Sequence, residues 1–396
     1  MTFNIRKITK MAQVDDALLK FEVPEIIHGI GALTKIGCCA RRLGGDRVLL
    51  VTDPGIIAAG WVDEALEYLD KEHLNVVVYD NVVTNPRDFQ VEQGVQLYNR
   101  ENCDVIVAVG GGSPIDMAKG IGICASNHGT IHEFEGCNLV TQPVPPLVCA
   151  PTTAGTSADV SQFAVIADTR KKSKMTILSR SIMPDISLID PRLLQTKPED
   201  LMAATGMDTL THAIEAYVSS LSWPLTDPHA IHAIELVSQH LLNAVRYKDM
   251  ASLTGMSIAC LEAGIAFSNA ILGAVHALAH PVGGLYDLHH GLINSVLLPV
   301  VVGQNMEHAR GKFAKIARAM GVETRLMSDL EAAGQARSQI ENLIRDLGMP
   351  TRFSELGLDS KDIPLLAELA RQDLCMQTNP YCFSHDEIEA MYREVW

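Results

Sequence analysis

Short, continuous apolar runs punctuate the first half of the chain. Arg47-Val-Leu-Leu-Val-Thr52, Asn75-Val-Val-Val-Tyr79 and Asp104-Val-Ile-Val-Ala-Val109 show no polar alternation. That is the pattern of strands buried on both faces of a parallel sheet. Pro146-Leu-Val-Cys-Ala150 and Ile186-Ser-Leu-Ile189 repeat it, and the intervening segments 60–68 and 89–99 carry apolar residues at helical spacing. Strand and helix in alternation predict a doubly wound, Rossmann-like α/β domain. After residue 197 strand-like runs nearly vanish, and helical periods take over at 198–220, 229–245, 331–347 and 362–371. The expectation is an α/β dinucleotide-binding domain over 1–197 and an all-α domain over 198–396. The cleft between them is the natural place for a site.

The longest apolar stretch, 264–285, has the length of a membrane span. It contains His276, His280 and Pro281, and reads instead as a soluble core helix that ends at the proline. The first twenty residues carry Arg6, Lys7, Lys10, Asp15 and Asp16 without an apolar run, unlike a secretory signal. Ile5, Ile8 and Met11 fall on one face of a short helix, if that segment forms one; a disordered or edge-packed terminus is the competing reading.

Charge narrows the partners. A formal net charge of −15 over 396 residues repels nucleic acid and anionic lipid. Nine cysteines without a CxxC pair give little support to a thiolate metal site or a disulfide scaffold. A reducing cytoplasm is the default.

Val109-Gly-Gly-Gly-Ser-Pro-Ile-Asp-Met-Ala-Lys119 follows a predicted strand and opens a predicted helix. Ser113 reads as the N-cap and Pro114 as the first helical residue. Free amides at such a helix start make a phosphate site, although the spacing is neither GxGxxG nor the Walker pattern. A tight strand-to-helix turn is the plainer reading of the same glycines. Asp53 ends the first strong strand, where an acid can hold the adenosine ribose and repel the extra phosphate of NADP. Asp53-Pro54 is equally a helix cap.

The helical half holds the densest chemistry. Asp208 and His212 stand four apart, His276 and His280 repeat that spacing, and His290 follows within Asp287-Leu-His-His-Gly291. One carboxylate and several imidazoles suit a divalent first-row metal such as iron or zinc. Among fourteen histidines, chance pairs at this spacing are also expected.

The glycine loop, Asp208-x3-His212 and His276-x3-His280-x9-His290 together resemble the iron-containing (group III) metal-dependent alcohol dehydrogenase family. Asp190, Pro198, Asp208-Thr-Leu and Glu215 match one family signature. Gly264-Ile-Ala-Phe-Ser-Asn269 with His276-Ala-Leu-Ala-His-Pro-Val-Gly283 matches a second. Pro151-Thr-Thr-Ala-Gly-Thr-Ser157 is similar to the loop that crosses beneath the cofactor, and the likeness runs from about Phe21 to Trp396. The resemblance implies an NAD(H)-dependent alcohol dehydrogenase or aldehyde reductase. Its substrate would be a short-chain alcohol, 1,3-propanediol, lactaldehyde or a charged aldehyde such as sulfoacetaldehyde. It implies Asp208, His212, His276 and His290 as ligands of ferrous iron, with zinc the other option, and His280 as a proton-relay residue. Gly111, Gly112 and Ser113 would hold the pyrophosphate and Asp53 the ribose. Asn85, Thr152, Thr153 and Lys174 would line the cofactor, and Phe267 would face the substrate. A homodimer or an assembly of dimers is also implied. One departure is Asp159, where relatives usually carry glutamate.

Two other classes compete. Dehydroquinate synthase, a lyase on a related scaffold, places a glutamate among its ligands, whereas here aspartate is followed by histidine four residues on. Glycerol dehydrogenase, usually zinc-dependent, lacks the full second signature. A non-catalytic nucleotide-binding or metal-binding protein would not need all four ligands, His280 and the glycine loop together.

Overall fold

The strands are β1 (Glu25–His28), β2 (Arg47–Val51), β3 (Asn75–Tyr79), β4 (Val105–Gly110), β5 (Gly136–Cys137), β6 (Leu147–Pro151), β7 (Phe163–Asp168), β8 (Ser173–Leu178) and β9 (Ile186–Ile189). They belong to a computed structural model that describes residues 20–171 and 173–396. The anticipated face of Ile5, Ile8 and Met11 lies outside the described residues. The described residues form a six-stranded parallel sheet in the order β1-β9-β6-β4-β2-β3. Helices α1 (Ile36–Arg42), α2 (Pro54–Ala58) and α3 (Trp61–Lys71) cover one face, and α4 (Asp88–Arg100) and α5 (Gly112–Asn127) cover the other.

The apolar runs are explained by the pleat. Val48, Leu50, Val105, Val107 and Val109 join the core of α1–α3, while Leu49, Val51, Ile106 and Ala108 join that of α4 and α5. With both faces dry, a polar side chain is tolerated only where it finds a partner, as Ser187 of β9 does in Asp159. The chain goes from β2 to its neighbour β3, then returns to pair β4 with the opposite edge of β2. This reversal creates a switch point beyond the carboxyl ends of β2 and β4, the usual ligand crevice of such sheets.

A second sheet, in the order β5-β8-β7, was not expected from the sequence. Strands β7 and β8 form an antiparallel hairpin from Phe163↔Leu178 to Asp168↔Ser173. Its strand β8 delivers Lys174.

From residue 199 onward the named elements are helical: α6 (Glu199–Val218), α7 (Asp227–Tyr247), α8 (Met250–Ala270), α9 (Ala274–Tyr286), α10 (His290–Asn305), α11 (Arg310–Ala319), α12 (Asp329–Asp346), α13 (Ile363–Gln372) and α14 (His385–Glu394), with short 3-10 turns between some of them. Every residue of α6 from Met202 to Val218 is buried, the signature of a helix packed on all sides. Helix α8 is long and apolar enough to cross a membrane, yet 67% of its most apolar window is buried against this core.

Two sequence expectations need correction. The apolar stretch 264–285 is not one helix ending at Pro281. It breaks at Ile271–Gly273, and α9 runs through Pro281 to Tyr286. The packed surroundings of α9, with Ala274–Ala279, Val282 and Gly283 buried, hold the turn despite the missing amide. The glycine-loop helix starts at Gly112, with Gly111 rather than Ser113 as its N-cap. Ser113 and Pro114 fall inside the first turn, where a proline removes no intrahelical bond.

Helices α6 and α10 approach so closely that a Cβ on Gly291 would lie 2.1 Å from the Ala204 carbonyl oxygen. Backbone meets backbone there, and neither can yield. Gly291→Ala is expected to destabilise the fold by about 1–3 kcal/mol. Gly334→Ala, on α12 with nothing within 4 Å of the new methyl, is expected to stabilise slightly through helix propensity. Thermal unfolding midpoints that do not separate the two variants in this direction would refute the packing argument.

Candidate metal centre and cofactor cleft

Asp208, His212 and Glu215 lie on one face of α6, at positions i, i+4 and i+7. Glu215 Oε1 accepts the Val275 amide at 2.6 Å, and its Oε2 accepts the His276 Nδ1–H at 2.5 Å. Asn379 Oδ1 accepts the Ala274 amide at 3.1 Å. These acceptors satisfy donors at the first turn of α9, and so fix the helix that carries His276 and His280. Burial pushes the Glu215 carboxyl up to about 7, against the pull of the Val275, Gly273 and His276 amides.

The side chains converge. Asp208, His276 and His290 each offer a ligand atom, all within 4.8 Å of one another. Nε2 of His212 and Nε2 of His276 both lie 3.9 Å from Asp208 Oδ1. The ring centroids of His212 and His276 are 4.7 Å apart, and those of His276 and His290 are 5.0 Å apart. His212 Nδ1–H donates to the Gly155 carbonyl at 3.1 Å, which leaves Nε2 as the free nitrogen. His276 donates its Nδ1–H to Glu215, and its Nε2 faces Asn294 Nδ2 at 3.3 Å.

This donor set fits a divalent ion. Burial holds His276 and His290 well below the ordinary imidazole range, so both are neutral, as ligation requires. His290 Nδ1 is buried and has no hydrogen-bond partner among the described residues. The Glu215–His276 contact is the carboxylate–histidine pairing that orients imidazole ligands. Asn294, fully buried, donates to Asp208 Oδ1 at 2.7 Å and fixes that carboxylate.

His280 stands beside the cluster, its ring 5.4 Å from His290 and 6.0 Å from His276. Asp373 Oδ2 accepts its Nδ1–H at 2.8 Å, leaving Nε2 free. Phe267 stacks on His212 at 4.5 Å and leans on Phe163 at 5.9 Å, so an apolar wall backs one ligand.

The loop after β6 links this cluster to the sheet. A Cβ on Gly112 would come within 2.7 Å of Thr156 Cγ2, so glycine there lets the loop press on the helix start. Gly155 from the same loop binds His212, and Thr209 donates to Ala154 O at 3.2 Å. Thr152 is fully buried and its Oγ1 has no partner among the described residues. The N-terminus of α5 has no side-chain cap, which leaves its amides for a ligand. Asp53 stands at the switch point, where its Oδ1 caps α2 by accepting the Ile56 amide at 3.1 Å.

Asn85 and Lys174 come at the cleft from the sheet side. Asn85 donates to Asp287 Oδ1 at 2.7 Å, and Arg87 donates to Asp287 Oδ2 at 2.7 Å. Burial lowers the Lys174 ammonium to about 8, opposed by Asp287 and Asp208. Asp53, Gly111, Gly112, Ser113 and Thr152 therefore gather at the strand ends, and the four metal-type residues gather among the helices.

Sequence reading did not assign Glu215, Asn294 or Asp373 a place in the site. Glu215 had a local signal: a carboxylate in an otherwise apolar helix face must be paired. Asp373, 93 residues from His280, had none.

Glu215→Ala is expected to weaken divalent metal retention about 10- to 100-fold, the usual cost of losing such an outer partner. Competition against a chromogenic chelator measures this directly. Unchanged retention would mean that Glu215 supports only the start of α9.

Two family profiles cover the chain: iron-containing alcohol dehydrogenase over residues 24–191, and the C-terminal profile of the Fe-containing alcohol dehydrogenase family over 202–396. The chain is 42% identical over 383 residues to 1,3-propanediol dehydrogenase of Klebsiella pneumoniae, covering 96% of this chain and 99% of the relative. It is 39% identical to the NAD-dependent methanol dehydrogenase of Bacillus methanolicus, covering 91% and 95%. The crystal structure of a 1,3-propanediol oxidoreductase superposes with a TM-score of 0.94 at 42% identity, covering 96% of this chain and all of that one. With both halves matched and the ligand-type residues gathered at one point, the chain belongs to the iron-containing alcohol dehydrogenase family.

Proposed function

We propose that this chain interconverts a small, uncharged primary alcohol and its aldehyde with NAD(H), and that Asp208, His212, His276 and His290 hold a ferrous ion. The convergence of Asp208, His276 and His290, with His212 Nε2 3.9 Å from Asp208 Oδ1 and Nδ1 of His212 and His276 committed to other acceptors, carries this reading. When bound, the ion supplies Lewis acidity to the substrate oxygen and the nicotinamide exchanges the hydride.

The protein's own groups do the rest. The uncapped amides at Gly111, Gly112 and Ser113 hold the pyrophosphate. Asp53 keeps its second carboxylate oxygen for the ribose and repels a 2′-phosphate. Thr152, Thr153, Asn85 and Lys174 line the nicotinamide side. His280, oriented by Asp373, passes the hydroxyl proton outward through Nε2. Phe267 packs against the substrate carbon chain.

Charge favours the uncharged substrate class. Lys174 and Arg87, the cations facing this end of the cleft, are opposed by Asp287, and Lys174 also by Asp208 and Asp116. Little free positive potential remains for a sulfonate or carboxylate. Nine cysteines with no disulfide fit a reducing cytoplasm.

Anaerobically purified enzyme is expected to oxidise NADH with 3-hydroxypropanal at least ten times faster than with sulfoacetaldehyde. Activity is expected to disappear on chelation and return with ferrous iron. His280→Ala is expected to lower kcat by about 10²- to 10⁴-fold while metal content stays at the wild-type level. Turnover that survives thorough chelation would overturn the assignment of the four ligands.

A further inference from the structure

A second group of ligand-type side chains lies apart from the catalytic cluster, where the β7–β8 hairpin meets the start of α4. Asp88 and Asp168 are buried, and His132 stands between them. One atom from each lies within 4.8 Å of the others. His132 Nδ1 is 3.3 Å from Asp168 Oδ2, and His132 Nε2 is 3.3 Å from Asp88 Oδ2.

The Nδ1–Oδ2 pair is the informative one. Both atoms are buried, the Asp168 side chain has no exposed surface, and neither atom has a hydrogen-bond partner among the described residues. Apart from His132 at 3.3 Å and Lys171 at 3.6 Å, that oxygen has no donor among the described residues, and an incompletely bonded buried carboxylate oxygen is costly. Two ligands sharing one edge of a tetrahedral site with bonds of about 2.0–2.1 Å stand roughly 3.3–3.4 Å apart. The observed 3.3 Å is that separation.

The other oxygens of the group are held in place, and Asp88 Oδ2 itself accepts the Thr169 amide at 3.2 Å. Asp88 Oδ1 accepts the Thr169 hydroxyl at 2.8 Å and the Phe89 amide at 2.9 Å. Asp168 Oδ1 accepts the Arg170 and Lys171 amides at 2.9 and 3.0 Å. Such contacts orient carboxylate ligands. Lys171 Nζ, 3.6 Å from Asp168 Oδ2, belongs to a largely exposed side chain that also reaches Glu135 at 3.3 Å. It can leave without unfolding anything.

We propose that Asp88, His132 and Asp168 form a second, structural site for a divalent cation of the zinc type. A cation there joins Asp88, at the first turn of α4, to the hairpin end through Asp168. The consequence reaches the cofactor cleft. Residues 86 and 87 run directly into Asp88 and pair with the hairpin through Ala167 N and Pro86 O at 2.8 Å. The same hairpin carries Lys174. The site thus braces both the Asn85–Arg87 segment and Lys174, and it is independent of the catalytic reading.

The test counts ions. Wild-type enzyme, His132→Ala, His132→Asn and His276→Ala are dialysed against excess Zn²⁺, then against metal-free buffer, and total iron and zinc per chain is measured by mass spectrometry. Two ions per chain are expected for wild type, and one for each of the His132 variants and for His276→Ala. Added Zn²⁺ is expected to raise the unfolding midpoint of His276→Ala, which keeps the second site, but not that of the double variant His132→Ala/His276→Ala. One ion per chain in wild type, or two in both His132 variants, overturns the proposal. The first outcome would leave His132 as a bridge between two carboxylates.

Discussion

The Glu215 carboxylate is the contact on which the centre depends. It is buried in α6, and it accepts the Val275 amide and the His276 imidazole at once. A buried carboxylate is tolerable only when its oxygens are satisfied, and here the start of α9 satisfies them. The Asp208–His212 pair and the His276–His280 pair are therefore registered against each other by a group outside the candidate ligand set. The register has a backbone cost. Ile271, just before α9, adopts φ 63°, a conformation that β-branched residues avoid. Strain of this kind persists where surrounding contacts over-determine it. Thr378 donates to Leu272 O at 2.5 Å and Asn379 binds Ala274 N, holding the kink from the opposite side.

The cofactor side is built on a different principle. There the candidate phosphate-binding groups are backbone amides at the start of α5, and they must be held close to the helices that carry the histidine cluster. Lys119 of α5 does part of this. It is fully buried and donates to the Phe163 and Ser161 carbonyls at 2.6 and 2.8 Å, fastening the glycine-loop helix to the chain just beyond the Thr152–Thr156 loop. Asp159, the shorter acid in that stretch, is buried and accepts the Ser187 hydroxyl of β9 at 2.6 Å. The shortened side chain thus still finds a partner inside the sheet. At the opposite rim, Asp287 binds both Asn85 and Arg87. The loop thus lies between two fixed walls.

Legibility in the sequence followed the physics of burial. Strands β2, β4, β6 and β9 could be read because they are buried on both faces. The edge strand β3 could be read because its three valines run uninterrupted despite partial exposure. Strand β1 was missed because it is four residues long and partly exposed, and β5 because it is two. The β7–β8 hairpin was missed although Ser173-Lys-Met-Thr-Ile-Leu178 alternates, as its burial pattern confirms. The i, i+4 pairs were visible because one helix sets their geometry. Pro281 misled because a packed environment outweighed a local rule, and Ser113 misled because the turn residue before the helix is a glycine with no side chain to cap. Asp373 and Asn294 act across tens of residues of chain, which no local pattern encodes.

Tautomer selection acts on three of the four clustered histidines. An isolated neutral imidazole presents either nitrogen, and a ligand cluster built from such rings would be heterogeneous. His212 has its choice removed by the Gly155 carbonyl, His276 by Glu215 and His280 by Asp373. In each case the constrained atom is Nδ1, so Nε2 is the nitrogen left to work. Three acceptors from three different segments thus make the same selection: a loop carbonyl, the buried Glu215 and the partly buried Asp373. The loop carbonyl belongs to the segment that also presses on the glycine turn. A shift of that loop would therefore disturb the phosphate-type site and the His212 tautomer together. Cofactor geometry and ligand geometry are coupled through one peptide group.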